Sequence, residues 1–234
     1  MVTSGGPDIV NDGLVLHLDA ADRKSYSGSG TAWYDLSGNG NHGTLTNSPT
    51  FNIENKGNIN FNGANSNYVT LGNKLRYQDN FTIDCIGKFP SVPNNPGSAC
   101  GARHVLIYNH DYGYNLYIQS DGKLYWNVYA LSNSYIMIST IDLVVGSEYF
   151  HATAIKNGVV CTLYLNSVFQ SSANLSTNAV YYVNYPFVIG GFGTCGPNKF
   201  YSTGKISQVK VYNRVLSPDE IAQNYNATKG RYGL

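Results

Sequence analysis

The sequence predicts an all-β protein, a two-sheet antiparallel sandwich, on three observations. Apolar and polar residues alternate with period two along most of the chain. Turn-forming clusters (SGNGNHG, FNGANSN, QSDGK, IKNGV, YLNS and GGFGTCGPN) interrupt that alternation at short intervals. Glu, a good helix former, occurs only at Glu54, Glu148 and Glu220, whereas Tyr, which favours strands and half-wet surfaces, occurs 20 times in 234 residues.

Taken in order, the elements read as follows. Leu14, Leu16 and Leu18 alternate with Val15, His17 and Asp19. Phe81, Ile83, Cys85 and Phe89 share one face of a strand, with Thr82, Asp84 and Lys88 on the other; Asp84 reads there as a solvated ladder position. Leu116 and Ile118 alternate with Asn115, Tyr117 and Gln119, and Leu124, Trp126 and Val128 with Tyr125, Asn127 and Tyr129. Ser120-Asp121-Gly122 between these two runs predicts a tight hairpin. Asn157-Gly158 predicts a second one, with a type I′ turn, ahead of the face made by Val159, Cys161, Leu163 and Leu165. In GKISQVKVY the alternation slips between Ile206 and Val209, which predicts a bulge. One segment breaks the pattern: Ser217 as N-cap, Pro218 at N1 and Glu220 at N3 predict a short helix over 217–229. Gly230 is expected to end it, and the helix to lie across a sheet edge or end. Residues 1–13 read as an N-terminal arm and residues 14–234 as one domain.

Composition excludes several function classes. Hydrophobic residues make up 42%, enough for a sizeable core, but charged residues only 12%, so the polar surface falls to Asn, Ser, Thr, Gly and Tyr. A net charge of +1 without a Lys/Arg run argues against nucleic-acid capture. No apolar stretch approaches the roughly 20 residues of a membrane span. The opening MVTSGGPDIVNDG has neither a charged n-region nor an apolar h-region, so synthesis in a cytoplasm is expected. With it, Cys85, Cys100, Cys161 and Cys195 are expected to be free thiols; Cys100 and Cys195, both in Gly-rich loops, are the pair that could meet.

Catalytic patterns are missing. The three Glu residues are isolated, and there is neither a G-x-S-x-G nor a Cys with a placed His and Asn. Gly191 to Gly196 matches G-x-G-x-x-G, but Pro197 and Asn198 follow where a phosphate-binding helix would open, so the match is a loop between strands. The segment Asp35 to His42 is more informative. Asp35, Ser37, Asn39 and Asn41 place oxygen-bearing side chains at alternate positions, with Gly38 and Gly40 to turn the chain, an arrangement that suits calcium. Thr46 stands where an EF-hand loop would have its last acid. The same residues equally describe an Asx/Gly-rich turn that satisfies its own backbone. For glycans, Tyr112, Tyr114, Tyr181, Tyr182 and Tyr185 lie near loops, although Tyr in this chain mostly decorates strands.

Three stretches then carry a resemblance: LVLHLDAADRKSY with WYDLSGNGNHGTL; INFNG, YVTLG and FTIDCIGKF; and GKISQVKVYNRVLSPDEIAQNYNATKGRYGL. From about Leu14 to Leu234 the chain resembles the laminin G-like branch of the concanavalin A-like lectin/glucanase superfamily. The resemblance implies a jelly-roll sandwich, and calcium at its rim with Asp35, and less directly Asp19, as ligands. It also implies that a glucanase relative would carry an E-x-D-x-x-E strand, which this chain lacks. The QNYNATKGRYGL ending is similar to copies in tailed-phage and marine-virus structural proteins. On that basis the expected function is non-enzymatic: a virion-surface subunit such as a capsid decoration or head fibre, homo-oligomeric, partnered by other virion proteins, with residues 1–13 docking on a neighbour. The alternative is an adhesin or tail-fibre domain that binds host surface glycans.

Overall fold

Period-two alternation is realised as antiparallel strands throughout the computed structural model, which describes residues 8–63, 66–94, 102–109, 113–130, 135–141, 144–178, 185–195 and 198–234, with backbone only over 192–200. In chain order the strands are β1 Leu14–Asp19, β2 Ala32–Trp33, β3 Gly43–Thr46, β4 Thr50–Asn52, β5 Asn58–Asn62, β6 Tyr68–Thr70, β7 Asn80–Lys88, β8 Arg103–Asn109 and β9 Tyr114–Gln119. They continue with β10 Leu124–Tyr129, β11 Tyr135–Ser139, β12 Phe150–Asn157, β13 Val160–Leu165, β14 Val168–Asn174, β15 Val188–Ile189, β16 Gly191–Cys195, β17 Asn198–Tyr201 and β18 Thr203–Tyr212, before the helix α1 Pro218–Tyr232. The first sheet runs β14-β13-β12-β7-β18-β5-β4, with β1 also paired to β18. The second runs β11-β10-β9-β8-β15-β6-β3-β2. This is the antiparallel jelly-roll sandwich expected from the sequence.

The inward faces are those the alternation marks. Leu16, Leu18, Phe81, Ile83, Cys85, Leu116, Ile118, Leu124, Trp126, Val128, Cys161 and Leu163 all enter one buried cluster between the sheets. Burying each large side chain contributes about 1.5–3 kcal/mol, so the two facing layers supply most of the drive to fold. The slip in GKISQVKVY is a bulge: the β18–β7 register shifts between Ile206 and Gln208. The Asp121-Gly122 hairpin is also present, with Gly122 at φ 79°.

Other local expectations are corrected. In the β12–β13 hairpin Asn157 pairs with Val160, so the two-residue turn is Gly158-Val159, and only Gly158 has positive φ. A type I′ turn needs positive φ at both central residues. That signature falls instead at Asn166-Ser167, φ 51° and 62°, between β13 and β14. The segment Gly191–Cys195 of the G-x-G-x-x-G match is itself strand β16, paired with β17. The capping box of α1 forms as expected, but Gly230 lies inside the helix and Gly233, at φ 72°, ends it. The helix lies on the outer face of the first sheet rather than at an edge. Ile221 packs with Tyr212, Ile155 and Leu216, and Tyr232 with Ile86 and Tyr149.

The N-terminal arm is partly integrated. Val10 is buried against Ile221, its N–H donates to Asn224 Oδ1 at 2.9 Å, and Arg214 pairs with Asp12. Residues 1–7 lie outside the described residues. Cys85 and Cys161 are buried free thiols; Cys100 and the Cys195 side chain lie outside the described residues. Among the described residues no helix is long and apolar enough to cross a membrane.

Candidate functional site

The Asp35 loop sits against β1. Asp35 Oδ1 accepts the backbone N–H groups of His17 and Ser37, each at 2.9 Å; Oδ2 accepts the Ser37 hydroxyl at 2.8 Å and the Asn41 N–H at 2.9 Å. Asn39 and Asn41 donate their amides to the Leu14 and Val15 carbonyls. Asp19 is elsewhere engaged: its Oδ1 accepts from Ala21 N–H, and its Oδ2 from Gln208 at 2.9 Å and Arg231 at 2.6 Å. N–H and O–H groups thus converge on the Asp35 carboxylate in this geometry, as in an Asx/Gly-rich turn. Among the described residues no three His, Cys, Asp or Glu side chains are grouped to hold a metal ion. As folded, Asp35, Asn39 and Asn41 form the self-satisfied turn, and Asp19 is not part of it.

Asp84 overturns its reading as a solvated ladder position. It is 0% exposed. Lys210 Nζ lies 2.6 Å from Oδ1, His151 Nε2 lies 2.8 Å from Oδ2, and Asn224 of α1 donates to Oδ2 at 3.2 Å. Burial pushes its carboxyl up, but the His151 and Lys210 charges and hydrogen bonds outweigh burial and hold it well below the usual range. Burial and Lys210 together hold the nearby His17 imidazole down at about 4. This cluster is closed over by α1, with Tyr225 stacked on His151 at 5.9 Å. With no room for a substrate, it joins helix to sheet. It also closes the outer face of the first sheet around Asp84, Ile86 and Tyr212 to a ligand.

The second sheet is different. Its outward positions on β8 to β11 are Val105, Asn115, Tyr117, Tyr125, Asn127, Tyr129, Tyr135 and Met137, because Leu116, Ile118, Leu124, Trp126 and Val128 take the inward ones. Val105, Tyr108, Tyr117 and Val188, with Tyr125 beside them, make a small apolar cluster of their own on this face. Tyr117 and Tyr125 stack at 5.7 Å with 10° between planes, and Tyr129 and Tyr135 at 5.2 Å with 23°. The Arg103 guanidinium lies 4.4 Å over the Tyr117 ring. Tyr125 donates to Asp121 at 2.7 Å, and burial together with that bond pushes its hydroxyl up to about 12. Tyr135 is 60% exposed. Asn127 stands between the two tyrosine pairs, opposite Asn115 on one side and Met137 on the other.

Of the tyrosines singled out in the sequence, Tyr114 is buried in the core with its hydroxyl on the Leu75 carbonyl. Tyr185 is exposed, and Tyr112, Tyr181 and Tyr182 lie outside the described residues. Proximity to a loop does not mark the outward tyrosines; the alternation that places Leu124 and Trp126 inward places Tyr125, Asn127 and Tyr129 outward.

A two-sheet jelly roll with an aromatic outer face describes a lectin-like sandwich. The family model of the concanavalin A-like lectin/glucanases superfamily matches residues 61–222, and the chain belongs to that superfamily. None of the curated proteins matches the chain in sequence. Among solved structures, the chain is similar to the binding domain of Paraclostridial Mosquitocidal Protein 1, with TM-score 0.73 and 21% identity over 93% of this chain and 52% of that one. It is similar to the binding domain of Botulinum Neurotoxin DC in complex with SialylT, with TM-score 0.68 and 13% identity over 93% and 52%. It is also similar to domain 4 of AbnA, an extracellular arabinanase from Geobacillus stearothermophilus, in complex with arabinotriose, with TM-score 0.65 and 15% identity over 91% and 98%. The chain thus spans about half the length of the toxin binding domains it matches. These likenesses show the fold.

Proposed function

We propose that this domain binds carbohydrate, without catalysis, on the outer face of its second sheet. The observation that carries the reading is the stacked Tyr129–Tyr135 pair, with Tyr135 60% exposed, beside a second stacked pair on the same face. A sugar ring offers an apolar C–H face and a rim of hydroxyls. Tyrosine offers an apolar ring with a polar tip and little side-chain entropy to lose. The amides of Asn115 and Asn127 add hydrogen-bonding groups between the rings. On the opposite sheet α1 covers the face around Ile86, Ile155 and Tyr212, while on this one Tyr135 and Met137 stay exposed beside the buried Tyr117, Asn115 and Asn127. Two fold neighbours were solved with a saccharide or with SialylT, which supports the direction of the reading. The non-enzymatic part rests on the absence of paired acids from the sequence and on the helix closed over Asp84.

Binding of the purified domain to a broad glycan array tests this, with Tyr135→Ala as the control. The expected outcome is selective binding that Tyr135→Ala weakens by about fivefold or more, in line with a stacking contact of about 1 kcal/mol or more. An array without hits, or unchanged binding by the variant, would overturn it.

A virion-surface placement is a second reading, carried by the form of the QNYNATKGRYGL ending. It is compatible with the first, because a decoration or fibre subunit with an outward tyrosine face would present a glycan-binding surface to a host. Mass spectrometry of purified particles tests it, and absence of the chain from them would sink it.

A further inference from the structure

On the tyrosine face, Asn127 is 6% exposed and its buried side-chain Oδ1 has no hydrogen-bond partner among the described residues. A buried carbonyl oxygen left unsatisfied is a stability defect unless something donates to it. Its position gives the defect a use. Along β10 it is flanked by Tyr125 and Tyr129, each a member of a stacked pair, and it faces the same way as they do. Across the sheet it is paired with Met137, which is 48% exposed and whose sulfur accepts the Tyr117 hydroxyl at 3.1 Å. Methionine is unbranched and adaptable, and it is the neighbour best able to move aside.

Resting on the carbohydrate reading, we propose that Asn127 is the specificity-determining residue of this face, accepting one hydroxyl of a neutral sugar unit held against Tyr125 and the Tyr129–Tyr135 pair, with Tyr117 buried beneath. An uncharged hydroxyl donor is what the oxygen lacks. A uronate or sialate carboxylate at the same place would set negative charge against a carbonyl oxygen. The ligand class is therefore a neutral oligosaccharide, with discrimination against the analogue that lacks the donor, because that analogue leaves the buried oxygen unpaired.

The test uses the whole chain with arabinotriose, xylotetraose, cellotetraose and maltotetraose as neutral probes and trigalacturonate as the acidic one, by calorimetric titration with thermal melts alongside. Asn127→Leu is expected to lower affinity for the best neutral probe about three- to tenfold, the worth of one hydrogen bond, while the melting temperature stays level or rises. Asn127→Thr, which restores a hydroxyl, is expected to lie between. A purely structural asparagine would give the opposite pattern, a lower melt with unchanged affinity, and that result overturns the proposal. So does tighter binding of trigalacturonate than of every neutral probe. If Tyr135→Ala weakens binding but Asn127→Leu does not, the face reading stands and this inference fails. If none of these probes binds the unmodified protein, this inference falls, and the broad glycan array alone decides the face reading.

Discussion

Asp35 accepts four hydrogen bonds from within its own loop and from β1, and each is charge-assisted. A carboxylate so placed ties the loop to the first strand through its own hydrogen bonds. Asp35→Ala leaves the His17, Ser37 and Asn41 N–H groups without their acceptor, at a cost of about 2–3 kcal/mol. For a domain of this size each kcal/mol is worth about 2–4 °C in Tm, so a loss of about 4–12 °C is expected. Differential scanning fluorimetry should return the same loss in millimolar calcium and in chelator. A difference confined to calcium would restore Asp35 as a metal ligand. Asp84 makes the same point about buried carboxylates. Its position on a strand was legible from alternation, but its burial was not, because nothing local says that a helix more than 130 residues later will cover it. Periodicity reports which face a residue takes, and tertiary packing decides whether that face is wet.

At the scale of the element, the C-terminal helix separates local chemistry from packing. Its start was readable residue by residue: Ser217 accepts the Glu220 N–H, and Glu220 accepts the Ser217 N–H at 2.8 Å. Its docking was not, because the buried positions Ile221, Asn224, Thr228 and Tyr232 include two polar residues and so make no clean apolar stripe. Strands β1, β7, β9, β10, β13 and β18 were legible to within a residue or two, and the bulge at Ile206–Gln208 was visible as a slip in the pattern. The candidate site was legible only in part. The outward residues of β9 and β10 were assigned to the right face, but a ladder of Tyr and Asn on a strand looks the same whether it faces water, a ligand or another layer. Ser217→Ala should cost about 1 kcal/mol, a drop in Tm of about 2–4 °C, with no change in glycan binding, since α1 lies on the opposite sheet. The cap also has a pH signature. Hydrogen bonding to Arg214 holds the Glu220 carboxyl down at about 2, so its contribution is present above the unfolded value near 4.5 and fades as pH falls from there towards 2. A variant that melts with the unmodified protein would mean that tertiary contacts, not the cap, hold the helix start.

For the whole molecule, the buried histidines set the acid limit of stability. His17 is held at about 4 by burial and Lys210; His104, stacked on Phe89 at 5.3 Å, is held at about 4 by burial. Both lie below the ordinary value of 6.5, so between pH 6.5 and about 4 the unfolded chain binds protons that the folded chain refuses. Stability therefore rises with pH across that window: it is fully present above about 6.5 and is lost as pH falls towards 4, with each site contributing up to about 1.4 kcal/mol per pH unit. Below that range Asp84, whose carboxyl is held low by His151 and Lys210, adds its own loss as it takes up a proton. Urea unfolding measured at intervals from pH 8 to pH 4 should show a plateau and then a decline that begins near pH 6.5. His104→Phe keeps the ring stacked on Phe89 but removes a titrating group, so it should flatten the decline by about one proton while lowering the plateau, since Thr203 N–H loses its acceptor at 3.3 Å. Stability that stays level from pH 7 down to pH 5 would mean that both imidazoles take up protons in the folded state, and that the burial seen around them does not persist in solution.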